Sequence, residues 1–375
     1  MNKRNSLSMM VYKRKQGAIF ILQPKRQAGV FLAELGYTLH PGWISPMRKS
    51  GYIVTLESFD SLTSYWLKYR YPSMGDCIFV LPSWLKVWWH EFGFEAELYL
   101  GAVRQGGTLI GLAPLLLRGA EASFIGSTDV CDYLDFIIVP GREIDFFNIL
   151  LNDLNERGIN LLDLRPLRPN STVLSHLIDL ARDRKYEVSC KVEDISLELD
   201  LPPTWEGYLR TLTQKQRHEV RRKLRRFWEA GDVSYRMIED REDASESIPI
   251  FLRLFRESRQ DKAMFLTTRM ESFFTLLITS MAQAGLLRLG LLELNASPVA
   301  AVICFDYNNK VFLYNNGYDP QYSLLSVGFI SKILCIKDSI ERGRAKFDFL
   351  KGVEEYKHHL GGKEVDLYGC QISFK

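Results

Sequence analysis

The sequence predicts an α/β fold built from two similar halves, and three observations support this prediction. Apolar strand patterns alternate with amphipathic helix patterns along most of the 375 residues. The segments ERGINLLDL (156–164) and ERGRAKFDF (341–349) are similar and lie about half a chain length apart. Each segment ends a helix pattern at Glu-Arg-Gly and leads into a strand that carries an aspartate. An internal duplication of an α/β unit accounts for all three features.

The bulk composition is that of a globular protein without a membrane span. The chain is 46% apolar and has a net charge of +3, which is too small to indicate a polyanionic partner by itself. Its length fits two domains of ordinary size. The longest uncharged, apolar-leaning run, 272–287, is shorter than a bilayer-crossing helix requires. No transmembrane segment is therefore expected.

The cysteines and the N-terminal segment give weaker indications. Six cysteines are scattered without a CxxC pair, which argues against a zinc site and a disulfide framework and favours a reducing cytoplasm. The segment 1–33 is rich in Lys and Arg and contains no acid. We interpret 1–50 as a basic extension that is either disordered or lies upstream of a natural start at Met47.

The first half is assigned to residues 51–202 and the second to 203–375, with Pro202-Pro203 as the boundary. In the first half, the patterns predict a helix at 83–93, a hairpin at 97–118, a strand at 132–139, a helix at 144–158, a strand containing Asp163, a helix at 171–186 and a strand at 187–201. In the second half they predict one long helix from Thr204 to Ala230, helices at 246–260 and 269–284, and a three-stranded meander at 285–319.

A strand, a loop, a helix and a second strand follow one another from Lys310 to Gly352, and this order predicts an anion site. If Ser326, Val327 and Gly328 form the first turn of the helix, their N–H groups have no intrahelical acceptor. The positive end of the helix dipole lies at the same place, and a glycine lets a phosphate approach closely. Titratable side chains follow the second strand, so the segment indicates a transferase with a phosphate-bearing donor.

Four segments carry a resemblance to a known family. They are LPSWLKVWWHEFG (81–93), QRHEVRRKLRRF (216–227), the meander at 285–319 and FDFLKGVEEYKHHLGG (347–362). Together they resemble the CelD/BcsL-type acyltransferases of the GNAT superfamily, which are similar to the FemAB-like peptidoglycan aminoacyltransferases. The resemblance implies tandem duplicated GNAT-like domains, with mixed sheets flanked by helices. It also implies acyl-CoA, such as acetyl-CoA, as a co-substrate, and no permanently bound cofactor.

The resemblance and the residue chemistry together suggest catalytic roles. Lys357 would neutralise the charge that develops during acyl transfer. Tyr356 would be the general acid, and Glu354 or Asp348 the base for an attacking amine or hydroxyl. Asp348 is expected on the face of its strand opposite Phe347 and Phe349. A surface group of salt bridges is the competing interpretation of these charges.

Further residues are candidates for ligand contacts. Tyr314 ends a meander strand beside the loop and would line the donor cleft with Ser326, Val327 and Gly328. Asp132, Tyr133 and Lys351 would contact the acceptor. Arg217 and Arg221 lie in a basic run with few acids, and are predicted to contact an anion, although a solvated face is an equal alternative. His358 and His359 are adjacent and cannot chelate one metal together, so no metal site is expected.

The sequence thus predicts an acyl-CoA-dependent N- or O-acyltransferase that acts on a sugar, a polysaccharide precursor or a cell-envelope component. Direct attack on the donor is expected, because no Ser-His-Asp or Cys-His pattern is present. Two alternatives stay open. The basic run is compatible with an aminoacyltransferase that uses aminoacyl-tRNA. The single glycine of the loop, where the family has two, is compatible with a non-catalytic nucleotide- or carbohydrate-binding protein.

Overall fold

A computed structural model describes residues 10–13, 18–21, 51–69 and 77–374. The expected basic extension, 1–50, and the alternative start at Met47 lie outside these residues, except for one short hairpin. In that hairpin β1 (Met10–Lys13) pairs antiparallel with β2 (Ala18–Ile21). The hairpin belongs to a unit of its own, Met1–Ser45, and Pro46–Lys375 forms a second compact unit.

The second unit is organised around one sheet of 13 strands within its described part. The strands are β3 (Tyr52–Leu56), β4 (Glu97–Gln105), β5 (Thr108–Arg118), β6 (Glu121–Phe124), β7 (Ile137–Ile138), β8 (Leu161–Leu167), β9 (Glu187–Asp200), β10 (Val233–Ile238), β11 (Leu287–Leu294), β12 (Ser297–Tyr307), β13 (Lys310–Tyr318), β14 (Lys346–Lys351) and β15 (Lys363–Ser373). Their order across the sheet is β3-β4-β5-β6-β8-β15-β9-β14-β13-β12-β11-β10, with β7 paired to β5.

Helices cover the faces of this sheet. They are α1 (Phe59–Tyr69), α2 (Pro82–Phe92), α3 (Glu143–Glu156), α4 (Ile178–Asp183), α5 (Trp205–Thr211), α6 (Gln214–Trp228), α7 (Arg241–Ser258), α8 (Gln260–Phe265), α9 (Thr268–Gln283), α10 (Val327–Glu341) and α11 (Glu355–His359). Among the helices of the described residues, none has the length and apolar character needed to cross a bilayer.

The two halves repeat the same strand pattern, as the duplicated sequence predicts. Each half has an antiparallel run of strands that ends in one parallel pair, β6 with β8 and β13 with β14. Each parallel pair is short, and its last matched residues are Ser123 with Asp163 and Phe312 with Asp348. Since β13 continues to Tyr318 and β14 to Lys351, a gap opens between them. We call this gap the wedge.

The last strand of each half completes the other half. Strand β9 pairs antiparallel with β14, and β15 pairs antiparallel with β8. Strands β9 and β15 also pair with each other, from Lys363 opposite Glu198 to Ser373 opposite Glu187. The boundary predicted at Pro202 therefore divides the sequence but not the sheet. The assignment of 51–202 and 203–375 as separate domains stays a prediction.

Packing joins the halves as well. Trp84 of α2 is fully buried and meets Phe273 of α9 and Phe305 and Tyr314 of the second half edge to face, with ring centroids 6.4, 5.6 and 5.0 Å apart. Such aromatic contacts add to the stabilisation from burial of the rings. One hydrophobic core thus extends across both halves.

Some predicted elements differ from the observed ones. The long helix expected from Thr204 to Ala230 is two helices, because Thr213 and Gln216 form a capping box that starts α6. The strand expected at 132–139 is reduced to β7. No pattern had indicated α1, β10 or β15. Val220 and Phe227 form the buried face of α6, with Leu224 half-buried between them.

The expectation that no disulfide forms is wrong. Cys190 of β9 and Cys370 of β15 lie opposite each other in the register and are joined by a disulfide. They are 180 residues apart in sequence. Only the pairing of β9 with β15 brings them together, so the cysteine spacing could not predict this disulfide. The other four cysteines are buried and free. In a reducing compartment the two thiols would face each other unbonded.

The disulfide is expected to stabilise the oxidised protein, because it closes a 180-residue loop. Reduction should lower the free energy of unfolding by about 2–5 kcal/mol. Urea titrations of oxidised and reduced protein measure this difference. The variant Cys190→Ala should match the reduced protein and should not respond to reductant. A response to reductant in that variant would contradict the assigned pairing.

Candidate active site

The helix start before α10 differs in one respect from the sequence prediction, because the Ser326 N–H donates to the Ser323 carbonyl at 2.9 Å and leaves Val327 and Gly328 as the candidate donors. Ser326 precedes the helix in a left-handed conformation, with φ 58° and ψ 36°, and Val327 and Gly328 form its first turn. The first N–H groups of a helix have no intrahelical acceptor. A Cβ on residue 328 would lie 2.8 Å from the ring of Tyr318, so only glycine fits there.

A cavity of about 400 Å³ opens at this helix start, and we call it the α10 cavity. The predicted residues that line it are Ser326, Val327, Gly328 and Tyr356. Lys223 of α6 also lines the cavity, with its ammonium 4.2 Å from the ring centroid of Phe329 and 3.3 Å from a carboxylate oxygen of Glu219. Glu355 and His359 complete its charged lining. Backbone donors, a helix dipole and a lysine together suit a phosphate or pyrophosphate.

Other predicted contacts lie away from this cavity. Arg221 is exposed and pairs with Glu206 at 3.1 Å, and Arg217 is a half-buried residue elsewhere on α6. Of the basic run, Lys223 is the residue at the α10 cavity, because its position on the helix turns it toward Phe329. Tyr314 donates a hydrogen bond to the carbonyl of Val130 at 3.2 Å within the aromatic core. It therefore does not line the cavity as expected.

Asp348 sits at the centre of a buried polar cluster. It is fully buried and accepts hydrogen bonds from Tyr133 Oη at 2.8 Å, Arg168 Nη1 at 2.9 Å and the Leu350 amide at 2.9 Å. Phe347 and Phe349 face the core on the other side, as predicted. Burial raises the pKa of Asp348, while the Arg168 guanidinium acts in the opposite direction. These contacts bind Asp348 into the fold.

The predicted acceptor residues lie beside this cluster. Asp132 accepts a hydrogen bond from the backbone N–H of Lys351 at 3.0 Å, and Lys351 Nζ donates to the carbonyl of Thr128 at 2.5 Å. The ring of Tyr133 also lies under the guanidinium of Arg168, 4.7 Å from its centroid. The structure thus brings the DYLD segment of the first half against β14 of the second half.

Lys357 fixes the turn that follows β14. Its side chain is almost fully buried, and Nζ donates to the carbonyls of Leu350, Lys351 and Gly352 at 3.1, 2.5 and 3.0 Å. It also forms an ion pair of 2.9 Å with Glu354. These contacts use all three donors of the ammonium group. Charge neutralisation by Lys357 stays a prediction, and in the structure the residue has a positioning role.

The environments of the two proposed acid–base residues set their protonation states near neutral pH. Burial raises the pKa of Glu354, but the charge and hydrogen bond of Lys357, together with a backbone hydrogen bond and the charge of Arg259, leave the pKa below its usual value. Glu354 is therefore a carboxylate near neutral pH, as a base must be. Burial raises the pKa of Tyr356 far above its ordinary value, which keeps the phenol protonated. Their catalytic roles stay predictions.

Two largely buried lysines were missed by the sequence reasoning. Lys332 of α10 is 5% exposed and donates to the carbonyl of Gly328 at 2.6 Å and to Asn316 Oδ1 at 3.0 Å. Lys262 of α8 donates to the backbone carbonyl of Asn316 at 2.5 Å. The available signal was the sequence FISKILCI, in which Lys332 interrupts an otherwise apolar helix.

Both lysines lose proton affinity in these surroundings. Burial lowers the pKa of Lys332 to about 7, and the neighbouring charge of Lys262 acts in the same direction. Burial also lowers the pKa of Lys262 to about 8, with a further contribution from Arg259. Buried lysines with such values are frequent at functional sites.

A second cavity, of about 600 Å³, lies on the other side of the Asp348 cluster, and we call it the Arg168 cavity. Its polar lining includes Tyr133, Asp135, Arg168, Glu198, Lys310 and Lys346. Burial raises the pKa of Glu198, but Arg168, Lys310 and Lys346 outweigh it and lower the pKa to about 2. The cavity lining therefore carries three cations, Arg168, Lys310 and Lys346, and three acids, Asp135, Glu143 and Glu198.

Comparisons with known proteins agree with this geometry. Residues 214–358 match the model of an acetyltransferase (GNAT) domain. The crystal structure of FemX has a TM-score of 0.58 and 11% identity, over 84% of this chain and 96% of that chain. L-PGS from Bacillus licheniformis has a TM-score of 0.50 and 11% identity, over 76% of this chain and 90% of that chain. A conserved protein of unknown function from Bacteroides thetaiotaomicron has a TM-score of 0.53 and 12% identity, over 85% and 99%. Comparison with curated proteins finds no matching sequence.

Residues 214–358 therefore form a GNAT-type domain, and the strand pattern of this half is repeated in the first half of the sheet. At these identities the solved structures establish the fold alone. The matched domain indicates a transferase. It includes the wedge, the α10 cavity and the terminal motif as far as His358.

Removal of Arg168 tests the buried cluster. Arg168→Met leaves the carboxylates of Asp348 and Glu198 without their guanidinium partner, which should destabilise the protein by about 3–5 kcal/mol. Arg182→Met is the control, since Arg182 forms an exposed pair with Asp179 and should change stability by less than about 1 kcal/mol. Urea denaturation measures both. Equal effects would show that the cluster contributes nothing beyond a surface pair.

Stability should depend on pH through Lys332. Its folded pKa of about 7 lies below the ordinary value of 10.5, so the unfolded chain binds more protons between these two pH values. The folding penalty of this residue is thus complete below pH 7 and disappears as the pH rises toward 10.5. Relative to Lys332→Met, the wild type should gain up to about 1.4 kcal/mol per pH unit over this interval. Denaturation curves of both proteins at pH 7 and pH 9 measure this change. An equal stability difference at the two pH values would contradict the lowered pKa of Lys332.

Proposed function

We propose that the protein is an acyl-CoA-dependent N- or O-acyltransferase of the GNAT type. The observation that carries this proposal is the α10 cavity, where Ser326, Val327 and Gly328 begin a helix beside Lys223. The pyrophosphate of CoA would bind the first turn of α10, and the thioester would extend along β13 into the wedge. CoA thioesters are formed in the cytoplasm, so we propose a cytoplasmic site of action.

The residues present support direct transfer without a covalent enzyme intermediate. The acceptor nitrogen or oxygen would attack the thioester carbon while Glu354 takes its proton. The C–S bond would then break, and Tyr356 would give its proton to the departing thiolate. Lys357 would hold the turn that carries both residues, through its contacts with three backbone carbonyls and Glu354.

For the acceptor we propose a sugar, a polysaccharide precursor or another cell-envelope component. The Arg168 cavity supports this choice, because it is large, has a lining rich in polar and charged side chains, and lies next to Tyr133 and Asp348. Asp132, Tyr133 and Lys351 would orient the acceptor from the two sides of the wedge. An acceptor with several hydroxyl groups would fit this lining, because it offers both hydrogen-bond donors and acceptors.

A second candidate is aminoacyl transfer from aminoacyl-tRNA. The observation that favours it is the exposed face of α6, which carries Arg221, Arg222, Arg225 and Arg226. Such a face would bind the phosphates of RNA with a steep dependence on salt. A non-catalytic nucleotide- or carbohydrate-binding protein is the third possibility, and the single glycine in the loop favours it.

The donor site is tested by replacing two neighbouring cations of α6 with alanine, one at a time. Lys223→Ala should weaken binding of acetyl-CoA and of free CoA about 10-fold, because it removes one charge-assisted contact to phosphate. Arg222→Ala is the matched control, since Arg222 pairs with Glu219 on the exposed face and is not at the cavity. Isothermal titration calorimetry gives both affinities.

The same binding measurements distinguish the three candidate functions. Acyl-CoA binding that depends on Lys223 but not on Arg222 supports the proposal. Binding of total tRNA without any binding of CoA or acetyl-CoA would instead support aminoacyl transfer. If none of these ligands binds, the donor site is wrongly assigned and the binding-protein alternative is favoured.

A further inference from the structure

Two ammonium groups converge on one residue at the inner end of the wedge. Lys332 Nζ contacts the side-chain oxygen of Asn316 and Lys262 Nζ contacts its backbone oxygen, at 3.0 and 2.5 Å. Asn316 lies on β13 beyond Phe312, the last residue that pairs with β14. Each lysine comes from a different helix, so the convergence is a property of the fold.

Neither lysine forms an ion pair within the described part of the chain, and the charges of Glu354 and Asp261 act on them only from a greater distance. Within the part of the chain that the structure describes, no carboxylate oxygen lies within 4.0 Å of either Nζ. The acids in the neighbourhood have other partners, since Glu354 pairs with Lys357 at 2.9 Å and Asp261 with Arg259 at 2.8 Å. An uncompensated buried charge is costly, which makes this place receptive to an anion.

The two groups also retain hydrogen-bonding capacity. An ammonium group has three donors. Among the described contacts, Lys332 uses two of its donors, on Gly328 and Asn316, and Lys262 uses one, on Asn316. Three N–H donors are therefore left for a ligand. A carboxylate, with two oxygens that each accept more than one hydrogen bond, matches this set.

Lys262 and Lys332 lie where the acyl end of a bound donor would be expected. Lys332 Nζ contacts the carbonyl of Gly328 and lies 4.6 Å from the ring centroid of Tyr356, and both residues line the α10 cavity. Strand β13 leads from Asn316 to Tyr318 at the cavity wall. A donor whose phosphates occupy the helix start would thus extend its acyl group toward Asn316.

We propose that the wedge selects a donor whose acyl group ends in a carboxylate, and that Lys262 and Lys332 bind this carboxylate. The inference rests on the proposed acyl-CoA function and adds the class of acyl group. It also disfavours an aminoacyl donor, because the α-ammonium group of an aminoacyl ester would be repelled by the two lysines.

Binding of such a donor should depend on pH. The groups that face Lys332 are Lys262 of α8, Glu354 and Tyr356 after β14, Cys304 of β12 and Cys335 of α10. A carboxylate favours the charged lysines and raises their pKa values, so binding takes up protons near pH 8. The affinity for a carboxylated donor should fall as the pH rises from 7 to 9, and the affinity for acetyl-CoA should not.

The test compares two donors of equal acyl length. Succinyl-CoA and butyryl-CoA both have four-carbon acyl groups. The succinyl group ends in a carboxylate, and the butyryl group ends in a methyl group. Calorimetry at pH 7 should show at least 10-fold tighter binding of succinyl-CoA. Lys332→Met and Lys262→Met should each bring the ratio close to one. Lys337→Met is the control, because Lys337 lies on the exposed face of α10 and pairs with Glu341.

Each result has a defined meaning. Loss of the preference in both variants, with the control unchanged, supports the inference. Equal affinity of the wild type for the two thioesters overturns the inference and leaves the acyl-CoA proposal standing. Absence of binding by any CoA thioester overturns the proposed function and this inference together. If Lys332→Met fails to fold, Lys262→Met decides the matter, because Lys262 is on the short, partly exposed helix α8.

Discussion

The site depends on the exchange of β9 and β15 between the halves. Because β9 pairs with β14 from Lys346 to Lys351, β14 stays in the sheet after β13 has separated from it. A bulge in this pairing follows Asp348, whose carboxylate accepts the Leu350 amide. The wedge can therefore be open on one side while its other wall is held in place. The same pairing brings Lys351 against Asp132 of the first half.

Short-range patterns were sufficient to predict part of this structure. The repeated Glu-Arg-Gly segments located two helix ends, where Gly158 and Gly343 adopt positive φ values of 81° and 70°. Short-range patterns also predicted the loop before α10 and the face of β14 on which Asp348 lies. The strand exchange, the disulfide and the convergence of Lys262 and Lys332 were not, because each joins residues that are far apart in sequence. The capping box at Thr213 was a local signal that the reasoning overlooked.

The two halves carry different residues in the first turn of the corresponding helices α3 and α10. When the two Glu-Arg-Gly segments are aligned, Glu143 in the first half corresponds to Gly328 in the second. The carboxylate of Glu143 accepts the N–H of Gly141 at 3.1 Å, so the start of α3 already carries a negative group. Helix α10 has no such side chain in its first turn. One helix start thus has no acidic side chain in its first turn, and the other carries an acid that accepts a backbone N–H at its own start.

The place of β15 in the sheet has a consequence for biosynthesis. Strand β15 is made after every other strand of the described sheet, yet it lies near the middle, between β8 and β9. A ribosome that has completed the first half releases a β8 edge whose partner does not yet exist. Exposed strand edges invite pairing with other chains. The nascent protein must therefore protect this edge until β15, which ends at Ser373, has left the ribosome and can pair.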